Sequence, residues 1–228
     1  MFKRKVQELR VVSDSQWNAK VSADIVVLTK PLAHTSEAIR RVQSQLQRRF
    51  IDQGIRSFAI VGDDPRSGSS FVTANLAVSC AQSGRRTVLV DANLGQPRQS
   101  QAFGLDPTNP GLADWLESDE YADFSRYGSL RLPNLTVIPA GRSSRASDLL
   151  QQPRLAGIMA QLSRIFDVVV CDAPPASDLA NSLAVAGIAE RTVLVGRQHL
   201  THVATLQRLQ SLIAQCHGRV EGVILVQH

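Results

Sequence analysis

Apolar and polar positions follow two alternating rhythms along the chain. Across residues 36–51, Ile39, Val42, Leu46 and Phe50 recur at helical spacing, while Arg40, Arg41, Gln47, Arg48 and Arg49 fill the rest of the wheel. This predicts an amphipathic helix with Thr35 or Ser36 as its N-cap and Gly54 just past its end. Six short runs rich in Val and Ile follow, at 58–61, 87–90, 135–138, 168–171, 192–195 and 222–226, with helical patterns between them near 71–83, 111–116, 147–165, 178–189 and 201–217. Continuous apolar strands alternating with helices predict a single α/β domain over 34–228, a doubly wound, mostly parallel sheet with helices on both faces. Residues 1–33 are weakly periodic and read as an N-terminal arm, with a short strand at 24–28 and a break at Pro31. The polar stretch 117–133, which carries Tyr121 and Tyr127, reads as a surface excursion.

In such a sheet, ligands bind beyond the carboxyl ends of the strands, so the loops there are where chemistry is sought. The first run is followed by Gly62-Asp63-Asp64-Pro65-Arg66-Ser67-Gly68-Ser69-Ser70, then by a helix near Phe71. The phosphate-loop pattern G-x-x-x-x-G-K-[ST] is met by Gly62, Gly68 and Ser70, with Ser69 where the lysine belongs. The only lysines are Lys3, Lys5, Lys20 and Lys30, all upstream of the loop. Backbone N–H groups of Pro65-to-Phe71 residues such as Arg66, Ser67, Gly68, Ser69 and Ser70 could cradle an anion, or the loop could be a tight turn using Gly and Ser for conformation alone. Asp91 and Asp172 stand just past two buried runs. Either they serve a metal site, with Ser70 and Asp172 holding Mg²⁺ and Asp91 orienting a water or hydroxyl, or they cap the helices that follow.

Composition narrows the partners. The chain has 228 residues, 43% of them hydrophobic, and a net charge of +5 with pI near 9.6. Its 21 arginines are spread along the whole length without interleaved aromatics, so nucleic-acid binding is not expected. Phe2-Lys3-Arg4-Lys5 is a short basic tip that either touches acidic headgroups or is simply solvated. No window reaches the roughly 18 apolar residues of a membrane span, and the N-terminus has no signal-peptide centre, which predicts a cytoplasmic protein. Cys80, Cys171 and Cys216 sit in apolar runs and are expected to be buried free thiols, and His199 and His202 have no acidic or cysteine partner at ligand spacing.

Several blocks together resemble the cytoplasmic domain of bacterial tyrosine kinases. They are residues 62–70, Ala74-Asn75-Leu76-Ala77, Ala81-Gln82-Ser83-Gly84, Val88-Leu89-Val90-Asp91-Ala92-Asn93-Leu94, Phe103-Gly104-Leu105, Gly111-Leu112, Pro139-Ala140-Gly141 and Asp172-Ala173-Pro174-Pro175. The resemblance runs from about Pro31 to the C-terminus. It implies a P-loop NTPase-like fold, ATP or ADP with Mg²⁺ as the ligand, and a role in making and exporting capsular or extracellular polysaccharide. The implied partner is a membrane polysaccharide co-polymerase of the chain-length-determinant type, which would hold the protein at the inner face of the cytoplasmic membrane.

The chain departs from the family at polar positions and keeps the apolar ones. The family loop reads Pro-Gly-Glu-Gly-Lys-Ser, against Pro65-Arg66-Ser67-Gly68-Ser69-Ser70 here. Its second acidic motif has two aspartates and an arginine where this chain has Asp91, Asn93 and Gly95. Asn181 stands for an aspartate and Val226 for an asparagine near the adenine, and no tyrosine cluster follows the last run. Of a Glu-x-x-Arg-x-x-Arg motif that packs subunits into rings, Glu37 and Arg40 remain while the third position is Gln43. These changes lead us to expect a degenerate, non-catalytic relative whose nucleotide-contacting loop would be 65–71. The alternatives are an active autokinase using Arg66, Ser69, Asp91 and Asp172, or a partitioning-type ATPase, which would carry an extra lysine where Asp64 stands.

Overall fold

The computed structural model describes residues 21–118, 132–143 and 146–227. The basic tip 2–5 and both tyrosines, Tyr121 and Tyr127, lie outside the described residues. Six strands, β1 (Ser57–Gly62), β2 (Thr87–Asp91), β3 (Leu135–Ile138), β4 (Val168–Asp172), β5 (Arg191–Arg197) and β6 (Val220–Val226), form one sheet in the order β3-β2-β4-β1-β5-β6. Every neighbouring pair is parallel. The prediction of a mostly parallel, doubly wound sheet is therefore met in full among the described residues.

Alternation along each strand splits the core into two layers. Ala59, Val61, Val88, Val90, Val169, Cys171 and Leu194 face one cluster. That cluster is covered by α5 (Leu112–Glu117), α7 (Pro153–Ile165), α8 (Leu179–Ile188) and α9 (Val203–Gln215). Phe58, Ile60, Leu89, Val168, Val170, Val193 and Val195 face the other, covered by α1 (Val26–Thr29), α2 (His34–Arg49), α3 (Ser69–Gln82) and α4 (Gln99–Phe103). Helix α3 is buried at nearly every position from Val72 to Ala81, because it lies between the sheet and the outer helices. A helix apolar all round is what such a central position requires.

Several local expectations are corrected. The apolar stretch 24–28 is not a strand: it contains the single turn α1, closed by the Lys30 N–H to the Val26 carbonyl. Asn75 of α3 fixes it in place, accepting the Val27 N–H through Oδ1 and donating through Nδ2 to the Asp24 carbonyl. Ile25 and Val27 are consequently buried against the same layer as α3. Helix α2 starts at His34 with Ala33 as its N-cap. Ser36, expected at that cap, instead donates its hydroxyl toward the Val26 and Lys30 carbonyls and joins α2 to α1. The pattern 147–165 is two helices, α6 (Ala146–Leu149) and α7, because Pro153 supplies no N–H to continue a helix and fits a first turn. Helix α4 was not expected from the apolar pattern.

Candidate functional site

Strand order gathers the candidate residues at one end of the sheet. β1 and β2 both pair with β4, so the loop after Gly62, the end of β2 and the end of β4 converge, with Asp91 directly across from Asp172. The 62–70 loop joins β1 to α3 in the strand-to-helix geometry of an anion-binding loop. Gly68 precedes α3 in the left-handed region at φ 85°. A Cβ on Gly62 would fall 2.1 Å from Ser67 Oγ and 2.9 Å from Ser69 Oγ, so both hydroxyls fold back over the glycine. Ser69, in the lysine's place, is 8% exposed and turned into the loop instead of out of it.

The loop also satisfies itself. The Arg66 N–H donates to Asp64 Oδ1, the Ser67 N–H to the Asp64 carbonyl, and the Ser69 N–H to Ser67 Oγ. The Arg66 N–H holds the Asp64 carboxyl below its usual range, with the Arg66 side chain adding to the effect. Three loop N–H groups that an incoming phosphate could use are thus already taken, the one of Arg66 by a carboxylate. The Arg66 guanidinium is paired with Asp64 at 3.3 Å and is 83% exposed at the surface. A cavity of about 380 Å³ opens over the loop, with Pro65, Gly68, Ser69, Ser70 and Phe71 in its wall and Arg66 and Arg98 as its cationic side chains.

Beneath the loop lies a buried polar cluster. Asp91 and Asp172 are both fully buried. Asp91 accepts the Asn93 N–H on Oδ1 and the Arg98 and Gln99 N–H groups on Oδ2, which makes it the cap of α4. Asp172 accepts from Gln99 Nε2 at 2.6 Å, and the Ser70 hydroxyl stands near enough to oppose the rise of its pKa. Thr73 Oγ lies 3.4 Å from Asp172 Oδ1 and donates to the Ser69 carbonyl at 2.8 Å. Burial raises both carboxyls above the ordinary aspartate range, and for Asp91 the charge of Asp172 adds to it. Such a pair favours holding a proton, as neighbouring carboxyls removed from water do.

The remaining expectations fall as follows. Asn93 closes a turn, its Oδ1 accepting the Gln96 N–H, and Gly95 is exposed. Val226 packs 3.6 Å from the position of a Cβ on Gly68, so it does sit beside the loop. Asn181 lies in the first turn of α8 and donates to Asp178; no hydrogen bond links it to the Asp91–Asp172 cluster among the described residues. On α2, Glu37 pairs with Arg41, and Arg40 donates to the Pro31 carbonyl at 2.7 Å. Gln43 points inward and donates to Gln47 and to Ser83 at the end of α3, a place that would bury the charge of an arginine. Cys80 and Cys171 are buried with thiols pushed up to about 12 by desolvation, whereas Cys216, expected to be buried, is exposed at the end of α9. No group of three or more His, Cys, Asp or Glu side chains has metal-binding geometry among the described residues. Nor is any of their helices long and apolar enough to cross a membrane.

Gln99, Thr73 and Asn75 were not foreseen as site residues. Each is a polar side chain fully buried in the layer beneath the loop. A polar residue inside an otherwise apolar helical run was the only signal available for Thr73 and Asn75, and Gln99 had none.

No protein-family model matches the chain. CapB of Staphylococcus aureus, named as a tyrosine-protein kinase, is 29% identical over 203 residues, 88% of each chain. EpsB of Ralstonia solanacearum, named likewise, is 30% identical over 82% of this chain, and the succinoglycan biosynthesis transport protein ExoP of Rhizobium meliloti is 27% identical over 88%. This chain spans only 25% of EpsB and 26% of ExoP. Among solved structures, the BceF tyrosine kinase domain shares 28% identity at a TM-score of 0.76, covering 88% of this chain and 81% of that one. The kinase domain of the Escherichia coli tyrosine kinase ETK is alike in fold at a TM-score of 0.82 and 22% identity, over 89% of this chain and 79% of that one. The septum site-determining protein MinD of Pyrococcus horikoshii, solved with Mg-ADP, is alike at 0.62 and 22%, over 75% and 70%.

Proposed function

Because the chain belongs to the family of bacterial tyrosine-kinase cytoplasmic domains, we propose that it serves extracellular or capsular polysaccharide biosynthesis and export as a non-catalytic regulatory partner. Its partner is a membrane polysaccharide co-polymerase of the chain-length-determinant type, which holds it at the inner face of the cytoplasmic membrane. The observation that carries this reading is Ser69, which fills the lysine position and turns its hydroxyl into the loop. Phosphoryl transfer depends on positioning and on stabilising charge, and removing one preorganised donor costs about 10²- to 10³-fold in rate. Asn93 in place of a carboxylate compounds that loss. Glu37 and Arg40 are the residues we assign to any contact between copies, and nucleic acid is not a ligand.

One observation favours a second reading, an active autokinase with an atypical loop: Arg66 and Arg98 both line the cavity over the loop and carry the charge a lysine would have supplied. Arg66 is held by Asp64, however, and its flat fork matches a lysine point charge poorly. The partitioning-type ATPase is disfavoured by Asp64, an anion where that group carries a lysine. Binding of the full chain to the cytoplasmic segments of a chain-length-determinant co-polymerase from the same organism separates the readings. The affinity is expected to be the same in EDTA and in Mg-ATP, and binding that requires Mg-ATP would overturn the regulatory assignment.

A further inference from the structure

The loop, the serine that follows Gly68 and Ser69, and the aspartate ending β4 are the parts that hold a divalent cation in P-loop proteins. Their fit to one is tested by what already fills the space. Gln99 is fully buried, and its Nε2 spends both protons there, on Asp172 Oδ2 at 2.6 Å and on the Ser70 carbonyl at 3.1 Å. Its Oε1 is buried without a hydrogen-bond partner. The backbone N–H of the same residue is bound by Asp91 Oδ2 at 2.9 Å, which fixes the start of α4 and so the root of the side chain.

We infer that the Gln99 carboxamide is a built-in substitute for the divalent cation, and that it decides whether the Ser70–Asp172 pair accepts one. The inference rests on reading 62–70 as a former nucleotide loop. A magnesium ion demands near-ideal octahedral geometry and gives up its waters reluctantly, so a site for it here would need the Ser70 hydroxyl and Asp172 free to face the ion. The amide turns the positive end of its dipole toward Asp172 and takes up one carboxylate oxygen without a metal. Turning the amide over would set Oε1 against the Asp172 carboxyl and the Ser70 carbonyl, acceptor against acceptor, so the donor orientation is the stable one. The buried Oε1 is left without a partner, a penalty accepted here to satisfy Asp172 and the Ser70 carbonyl at once. Asp91 offers no alternative seat, since three backbone N–H groups already hold its oxygens. The chain as it stands therefore does not fit a magnesium ion at this position.

The test uses Mn²⁺ as a paramagnetic probe, titrated into the full chain with ADP present and, in parallel, into the same ADP without protein, and followed by the electron spin resonance of the free ion, so that binding by ADP alone is subtracted. The unmodified protein is expected to show no saturable binding. Gln99→Ala, or Gln99→Ser where the alanine variant is unstable, is expected to show saturable Mn²⁺ binding at least about tenfold tighter than the weakest binding the unmodified chain's titration would detect, the scale on which groups around a metal site change its affinity. Adding Asp172→Asn to either variant is expected to remove that gain. Folded Gln99 variants that bind Mn²⁺ no more tightly than the unmodified chain would overturn the inference. A second readout needs no variant: the Gln99 side-chain amide resonances should stay sharp on adding Mn²⁺, and their selective broadening would place the ion beside the amide and contradict it. Neither readout involves tyrosine phosphorylation, so failure here is distinct from failure of the regulatory reading.

Discussion

Asp172 is a fully buried carboxyl with four polar neighbours. Ser70, Thr73 and Gln99 present hydroxyl and amide groups to it, and Asp91 stands beside it across the strand pair. Burial is the largest influence on both carboxyls and raises them, and hydrogen bonds only partly oppose it. A carboxyl raised in the folded state contributes stability that is fully present below its unfolded pKa and is lost as pH rises through the folded one. The thermal midpoint of the protein is accordingly expected to fall between about pH 5 and pH 8, and that of Asp172→Asn to fall less. Asparagine keeps an acceptor for Gln99 and removes the charge that burdens Asp91. Parallel midpoint curves for the two proteins would show that the pair does not titrate in this window.

At the scale of elements, the outer helices are fastened to α3 by single buried amides. Asn75 holds α1 through Val27 and Asp24, and Gln43 ties α2 to Ser83. Replacing Asn75 by alanine strands a buried N–H and a carbonyl, a loss of about 2–3 kcal/mol. Denaturant unfolding is expected to show that loss, with amide exchange accelerated first in residues 21–33. Unchanged exchange there would mean that burial of Ile25 and Val27 suffices to hold the turn. The same segment shows where the sequence is ambiguous. Ile25, Val26, Val27 and Leu28 read equally as a strand or as a buried helical turn, because four apolar residues carry no period that separates the two. The break in 147–165 was legible at Pro153 once the helical face was not forced through it. Asp91 was legible as a cap or a catalytic group, and the structure shows it performing the first, with N–H groups seven and eight residues away.

At the scale of the whole molecule, the sheet order is what makes a site from distant residues. All six strands were found from their apolar runs because a parallel sheet covered on both faces leaves little room for polar alternation. The blocks that follow β1, β2 and β4 were likewise visible, and β4 lying between β2 and β1 explains why they meet. Gln99 was not visible: its partner Asp172 is 73 residues further along, and only the fold brings the amide to the carboxyl. The resulting picture is of a site closed from within, with Asp64 and Ser67 occupying loop donors, Ser69 folded inward and Gln99 set between Ser70 and Asp172.

The most direct measurement is phosphate transfer itself. The purified full chain, together with the cytoplasmic segments of the proposed co-polymerase partner, would be incubated with Mg-ATP labelled at the γ-phosphate and assayed for phosphotyrosine on either protein. The account predicts no incorporation above that of a reaction lacking the chain. Incorporation that depends on Mg-ATP and disappears on Asp172→Asn would contradict it, and would make Arg66 and Arg98 the first residues to re-examine as the source of the missing charge.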